Sequence, residues 1–269
     1  MEQALTDQVK LQTELRSFRG LWSGGFFKAD PYDPLAPYWL ETMAGHFHVI
    51  YLACIKPWIG PDTCVLEIGP GRGAWTRLFL GAAHVTCVDA LSAEHNGFYD
   101  YVGTAENLDY HQVEDFTLSM IANGTIDYVF SYDVLCHVSF AGISEYARSL
   151  YRVMKPGAHG FVMVADYRKF NAFVDTLGQR SALNVMLRPW RLGRIRPFGA
   201  WLVRRYAIRE AHRLSLHRMS LHEDDQPSPG RWYDAGTDAT CDLLRSVGFT
   251  VLDEDMGVDP RSPLIHFQR

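Results

Sequence analysis

The sequence predicts an open, mostly parallel α/β sheet with a helical N-terminal extension and a helical insertion. Three observations predict it. Short apolar strands alternate with helical segments between Pro61 and Asp166. One of those strands runs directly into a glycine-rich turn at Gly69–Gly73. The alternation breaks after Asp166 and resumes near Thr237.

Taken in order, Met1–Gly60 holds a polar start, an aromatic Gly/Pro-rich loop over Leu21–Pro37, and a helix-like stretch over Tyr38–Ile59. Strands are expected at Val65–Ile68, His84–Val88, Tyr110–Val113, Ile126–Ser131 and Gly160–Ala165. Helical patterns fall between them, notably Ala74–Leu80 and Ile143–Met154, and Lys155-Pro156-Gly157 reads as a turn into the fifth strand. Arg180–Arg218 breaks the rhythm with about ten arginines among Leu, Trp, Val and Ile. Thr237–Val247 then reads as a helix closed by Gly248, with strands at Thr250–Asp253 and Leu264–Gln268. The expected organisation is an N-terminal cap (1–60), a cofactor-binding core (61–166), a helical insertion serving as acceptor lid (167–236) and the end of the core sheet (237–269).

Bulk properties narrow the function classes. The chain has 269 residues, a formal net charge of −5, 47% apolar and 21% charged residues. This is the profile of a soluble globular protein whose core forms without disulfide or metal support. Mild acidity argues against a nucleic-acid substrate. No apolar run approaches membrane-spanning length. The five cysteines are scattered with no Cys-x-x-Cys pair, which reads as buried reduced thiols in a reducing cytoplasm.

The segment Val65-Leu66-Glu67-Ile68-Gly69-Pro70-Gly71-Arg72-Gly73-Ala74-Trp75-Thr76 carries the chemistry. Parallel α/β sheets bind ligands at the carboxyl ends of their strands, near the topological switch point. Asp89 ends the next strand twenty residues on, where an acid accepts hydrogen bonds from ribose hydroxyls. That pair suits NAD or S-adenosylmethionine (SAM). The spacing Gly-x-Gly-x-Gly, rather than Gly-x-Gly-x-x-Gly, favours SAM, as does Glu67 two residues upstream, placed to help hold a cationic amino group.

Glu-x-Gly-x-Gly-x-Gly with a downstream acid resembles the first two motifs of the class I SAM-dependent methyltransferases. The resemblance continues at Val113-Glu114-Asp115-Phe116, at Ile126–Asp133 and at Arg152–Gly157. It implies a Rossmann-like sheet whose last strand is antiparallel. It also implies a SAM site made by Glu67, Gly69, Gly71, Gly73, Trp75, Asp89, Ala90, Asp115, Phe116 and Ser131. Asp115 is expected beside the adenine amino group and Phe116 on the adenine ring.

On the acceptor side, an alcohol needs a general base whereas an amine needs less help. His137 is the foremost base candidate, because histidine's ordinary titration range spans neutral pH; a structural histidine is the other reading. Asp133 and Tyr132 are further catalytic candidates, and Asp133 is spaced to orient His137. Asp133 and Asp166 are candidate ligands for magnesium, with His137 beside them. Trp232 and Tyr233, and Tyr38 and Trp39, offer flat faces to an acceptor, with Asp166 nearby; all of them also suit ordinary packing. The arginines of the insertion suit a solvated amphipathic helix, an anionic acceptor, a membrane surface or a protein partner. The aromatic extension, the Tyr-Asp-Val-Leu-Cys-His run and the late Gly-Arg-Trp-Tyr together resemble bacterial sugar O-methyltransferases, including actinobacterial enzymes that methylate mannosides. That resemblance implies a small sugar acceptor, a histidine base and assisting magnesium. A phenolic or polyketide O-methyltransferase, an N-methyltransferase and a non-catalytic SAM-binding module are the alternatives.

Overall fold

The computed structural model describes residues 11, 13–18, 46–176 and 232–269. Tyr38, Trp39 and the arginine-rich stretch Arg180–Arg218 lie outside them. Within them the chain builds one seven-stranded sheet. Its strands are β1 (Cys64–Ile68), β2 (His84–Asp89), β3 (Leu108–Gln112), β4 (Ile126–Ser131), β5 (Met154–Met163), β6 (Thr250–Asp253) and β7 (Leu264–Gln268). The order across the sheet is β3-β2-β1-β4-β5-β7-β6. Strands β1 to β5 pair in parallel, and β7 runs antiparallel to both its neighbours. This is the Rossmann-like methyltransferase arrangement with its antiparallel last strand.

Burial on both faces explains why β1 is apolar at every position but Glu67. Its side chains alternate between two cores. Leu66 and Ile68 pack on the face with Val129, Ile143, Leu150 and Leu244, while Val65 packs opposite with Phe79, Phe98, Phe130 and Phe161. The chain leaves β1 toward β2 and β3, then returns to place β4 on the other side of β1. The switch point therefore lies between the carboxyl ends of β1 and β4.

The helices are α1 (11 and 13–18), α2 (His46–Ile50), α3 (Ala93–Asn96), α4 (Phe98–Val102), α5 (Phe140–Val153), α6 (167–176) and α7 (Thr237–Val247). Helix α5 starts three residues earlier than its apolar periodicity suggests. Ser139 caps it by accepting the Gly142 N–H at 3.2 Å. Its buried stripe is Ile143, Tyr146, Ala147, Leu150 and Val153, and each large member contributes about 1.5–3 kcal/mol of burial. Helix α7 matches its expected span and ends at Gly248 in a left-handed turn.

Three expectations change. Ala74–Leu80 is a turn with one 3₁₀ stretch at Thr76–Leu78, since so short a segment with Trp and Thr gains too few bonds to offset helix nucleation. Strand β5 begins at Met154, and the Lys155-Pro156-Gly157 turn becomes an irregularity within it, where the register slips between Ile126 and Tyr128. Helix α2 continues into a π-wound turn at Tyr51–Ile55, whose Cys54 carbonyl accepts the buried Tyr128 hydroxyl at 2.6 Å.

On β5 and β7 two histidines meet, with His159 Nδ1 3.0 Å from His266 Nε2. Gln268 Nε2 lies 3.3 Å from His159 Nε2 and can only donate to it. His159 must then carry its proton on Nδ1 and donate to His266, which accepts as a neutral ring. Burial, then the neighbouring His159, lower His266 from 6.5 to about 4. The unfolded chain takes up this proton at higher pH than the folded one. The contribution is therefore complete above pH 6.5 and is lost as pH falls toward 4. Denaturant unfolding from pH 7 to pH 4 should show wild type losing about 2 kcal/mol more than His266→Gln; equal pH slopes would refute the assignment.

Candidate active site

The β1 and β2 ends are set by glycine geometry. Gly69 takes a φ of +70°, and a Cβ there would sit 2.3 Å from a Val134 methyl on the β4 loop. Gly73 takes +98°, and its Cβ would sit 2.1 Å from Val102 on α4. Only glycine allows both the left-handed backbone and these contacts. Between them, the Gly71 N–H donates to one Asp89 carboxylate oxygen at 3.1 Å, and the Leu91 N–H donates to the other at 2.8 Å. Burial outweighs these bonds and raises Asp89 to about 6. The Asn96 side chain also hydrogen-bonds this carboxylate, which still leaves a lone pair for a hydroxyl donor.

Above these ends lies a cavity with about 970 Å³ of space between atoms, including its open mouth. The glycine loop, Asp89, Ala90, Leu91 and Asn96 line one part. Tyr132, Asp133, Val134 and His137, from the end of β4, line another. Strands β2 and β4 flank β1, so the two parts stand about 10 Å apart at the usual strand spacing. Apolar side chains of Leu15, Phe18, Val138 and Tyr146 complete the walls.

Past β4 the chain turns sharply. Asp133 has a φ of +60°, an uncommon conformation for a residue with a side chain. A 3₁₀ turn at Leu135–His137 follows. The Tyr233 N–H bonds the Cys136 carbonyl at 2.8 Å, which brings Trp232 edge-on to His137 at 6.4 Å between ring centroids. Behind this wall the Tyr132 hydroxyl donates to buried Asp259 at 2.6 Å, and Arg261 closes on the same carboxylate at 3.3 Å. Burial pushes Asp259 upward, but Arg261 and Tyr132 outweigh it and hold the carboxyl below its usual range. Burial and the Asp259 charge drive the Tyr132 phenol far up. Tyr132 thus keeps its own proton, committed to Asp259, and cannot accept one from a substrate.

Residues 50–213 match the family model described as a methyltransferase domain. The chain belongs to that family. It is a SAM-dependent methyltransferase, with a glycine loop and acid of the form that holds an adenosyl cofactor. No curated protein matches it. Among solved structures, the DhpI–SAH complex shares 18% identity and a TM-score of 0.51, covering 96% of each chain. A candidate SAM-dependent methyltransferase from Listeria monocytogenes shares 15% identity and a TM-score of 0.50, covering 84% of this chain and 98% of that one. These likenesses establish the shared fold.

Several expected site residues of the methyltransferase stand apart from the cavity. Glu67 is fully buried, with its carboxylate accepting the Thr76 hydroxyl at 2.6 Å and facing the Cys87 thiol at 3.6 Å. It braces the loop from beneath. Asp115 is exposed and accepts the Thr117 N–H and hydroxyl at 2.9 and 2.7 Å. Phe116 is buried edge-on to Tyr146 at 4.9 Å. Ser131 is buried, and its hydroxyl has no hydrogen-bond partner among the described residues.

Asp166 differs most from its expected role as magnesium ligand and acceptor contact. Its oxygens accept the Arg168 and Lys169 N–H groups, and the Thr237 N–H and hydroxyl, all within 3.0 Å. It caps α6 and fastens the start of α7. Burial would raise its carboxyl, yet these donors prevail and lower it. Asp133 and Asp166 therefore build no shared oxygen site. Trp75, Ala90, Asp133, His137 and Trp232 do gather around the cavity or its wall.

Some contributors escaped sequence reading. Leu11, Leu15 and Phe18 recur at helical spacing within a segment read only as polar, and Leu15 and Phe18 line the cavity. Glu14 fastens their helix by accepting both the N–H and the hydroxyl of Ser139 at 2.6 Å. Asp259 and Arg261 sit 127 or more positions from Tyr132, a pairing that local pattern does not reveal.

Burial, opposed by the Thr76 and Cys87 hydrogen bonds, raises Glu67 from 4.5 to about 7. Its contribution is complete below pH 4.5 and is lost as pH rises through 7. Glu67→Gln keeps an acceptor for Thr76 without the charge. It should be more stable than wild type by about 2 kcal/mol at pH 8 and near equal at pH 4.5, as read by denaturant unfolding without cofactor. A less stable variant at pH 8 would mean that the carboxylate is needed in its ionised form.

Proposed function

We propose that this methyltransferase moves the SAM methyl group to a hydroxyl of a small acceptor, foremost a sugar, with His137 as the general base. One observation carries the reading. His137 and Asp89 line the same cavity from the ends of β4 and β2, about 10 Å apart by strand spacing, with the switch point between them. In this reading Asp89 takes the ribose hydroxyls, Gly71, where a Cβ would meet nothing within 4 Å, lets the cofactor lie against bare backbone, and Gly69 and Gly73 set the turn. Leu15, Phe18, Val138 and Tyr146 supply apolar surface for the adenine. Asp115 and Phe116 reach it only through a change from their present contacts, so their adenine role becomes secondary.

The sulfonium activates its own methyl group. The acceptor oxygen attacks the methyl carbon in line, the carbon–sulfur bond pair returns to sulfur, and S-adenosylhomocysteine leaves. The hydroxyl proton passes to His137. The protein's contribution is alignment and removal of that proton. Asp133 stands close enough to steady the imidazole. Trp232, edge-on to His137, and the adjoining Tyr233 supply apolar faces of the kind that cover a sugar ring.

His137→Ala should lower turnover by roughly 10²- to 10⁴-fold while SAM binding stays within about twofold. Turnover close to wild type would refute the base. Calorimetry of Asp89→Ala should show SAM and S-adenosylhomocysteine binding weakened roughly 10- to 100-fold, with NAD not bound by either protein. An acceptor screen in which phenols or amines react and sugars do not would overturn the sugar assignment while leaving methyl transfer intact.

A further inference from the structure

Asp133, Cys136 and His137 place a carboxylate oxygen, a sulfur and an imidazole nitrogen within 4.8 Å of one another. The Cys136 thiol already donates to Asp133 at 3.7 Å. Asp133 and His137 line the cavity, and Cys136 is buried beside them. All three belong to one five-residue segment. The left-handed turn at Asp133 and the 3₁₀ turn after it set that segment's path. The Tyr233 N–H pins it at the Cys136 carbonyl. The donors are thus gathered by the fold before any ion arrives.

The donor types select the ion. Magnesium takes oxygen ligands and keeps several waters, and this site offers one carboxylate beside sulfur and nitrogen. The second carboxylate that a magnesium site would need, Asp166, is spent on α6 and α7. Sulfur, nitrogen and oxygen together suit zinc, which takes three protein ligands and leaves a fourth position open in reactive sites. We infer that Asp133, Cys136 and His137 form a zinc-binding site at the acceptor end of the cavity, and that zinc there switches methyl transfer off. On binding, the Cys136 thiol releases its proton to solvent, and the thiolate, the Asp133 carboxylate and a His137 nitrogen each donate an electron pair to the ion. An imidazole so engaged no longer takes the acceptor's proton. The inhibitory half rests on His137 as the base; the site itself does not.

The test uses the full chain, freed of metal by a chelator. Cobalt(II) stands in for zinc, because thiolate ligation gives an intense near-ultraviolet charge-transfer band. One equivalent of cobalt should produce the band, zinc should abolish it and magnesium should not. Cys136→Ser should lack the band and bind zinc roughly tenfold or more weakly, while keeping its metal-free turnover and resisting zinc inhibition. Asp133→Asn, read for metal binding alone, should also weaken zinc binding and covers the case in which Cys136→Ser fails to fold. No band in wild type, or an undiminished band in Cys136→Ser, overturns the site. Zinc bound at these residues with turnover unchanged overturns the inhibition. His137→Ala with full turnover overturns the base reading alone, since the cobalt band is read without any acceptor.

Discussion

The site depends on the contact between the β1 and β4 loops. Gly69 and Val134 meet so closely that a single added carbon would lie 2.3 Å from the valine methyl. That contact holds the glycine turn beside the Tyr132–His137 segment. It is reinforced from β2, where the Val88 carbonyl accepts the Gly69 N–H at 2.8 Å and Asp89 takes Gly71. The glycine turn and the Tyr132–His137 segment are therefore parts of one packed unit. A change in either loop's volume is transmitted to the other, because packed interiors leave no slack.

Two buried carboxylates lie under the loop, and their environments divide their work. Glu67 faces inward, to Thr76 and Cys87. Asp89 faces the cavity with both oxygens braced by backbone donors. Burial is the first cause that raises the proton affinity of each. At the other end of the cavity the pattern is reversed. Asp259 is paired with Arg261 and held ionised, and Tyr132 is locked in its protonated form. This removes the phenol from proton transfer and leaves Asp133, Cys136 and His137 as the neighbouring groups with donor atoms to offer.

What the sequence disclosed and what it withheld follow from the range of the forces involved. The strands were legible because burial on both faces favours mostly apolar runs, as in Cys64–Ile68, interrupted by Glu67, and Ile126–Ser131, interrupted by Asp127. The glycine turn and Asp89 were legible because their roles are fixed by backbone geometry within a few residues. His137, Asp133 and Trp232 were legible as types, and the fold does bring them together. Side-chain direction was not. Glu67 and Phe116 turn into the core, Asp115 turns to its own neighbour Thr117, and Asp166 serves two helix starts. Each has the right residue type at the right spacing, and each found a nearer partner. Glu14–Ser139 and Tyr132–Asp259 join residues more than a hundred positions apart, where no periodicity speaks.

The start of α6 and the stretch after Trp232, far apart in sequence, are stapled together. Asp234 bridges Ala165 in the sheet, its side chain accepts the Tyr167 N–H at 3.0 Å, and the Tyr167 hydroxyl donates to the Trp232 carbonyl. Residues 165–167 and 232–234 are thus fastened directly to each other. Lengthening a loop with fixed ends costs only about 0.6 kcal/mol per doubling. The junction therefore works as a port: the sequence between residues 176 and 232 can change in length at little cost to the sheet and to the cavity above it.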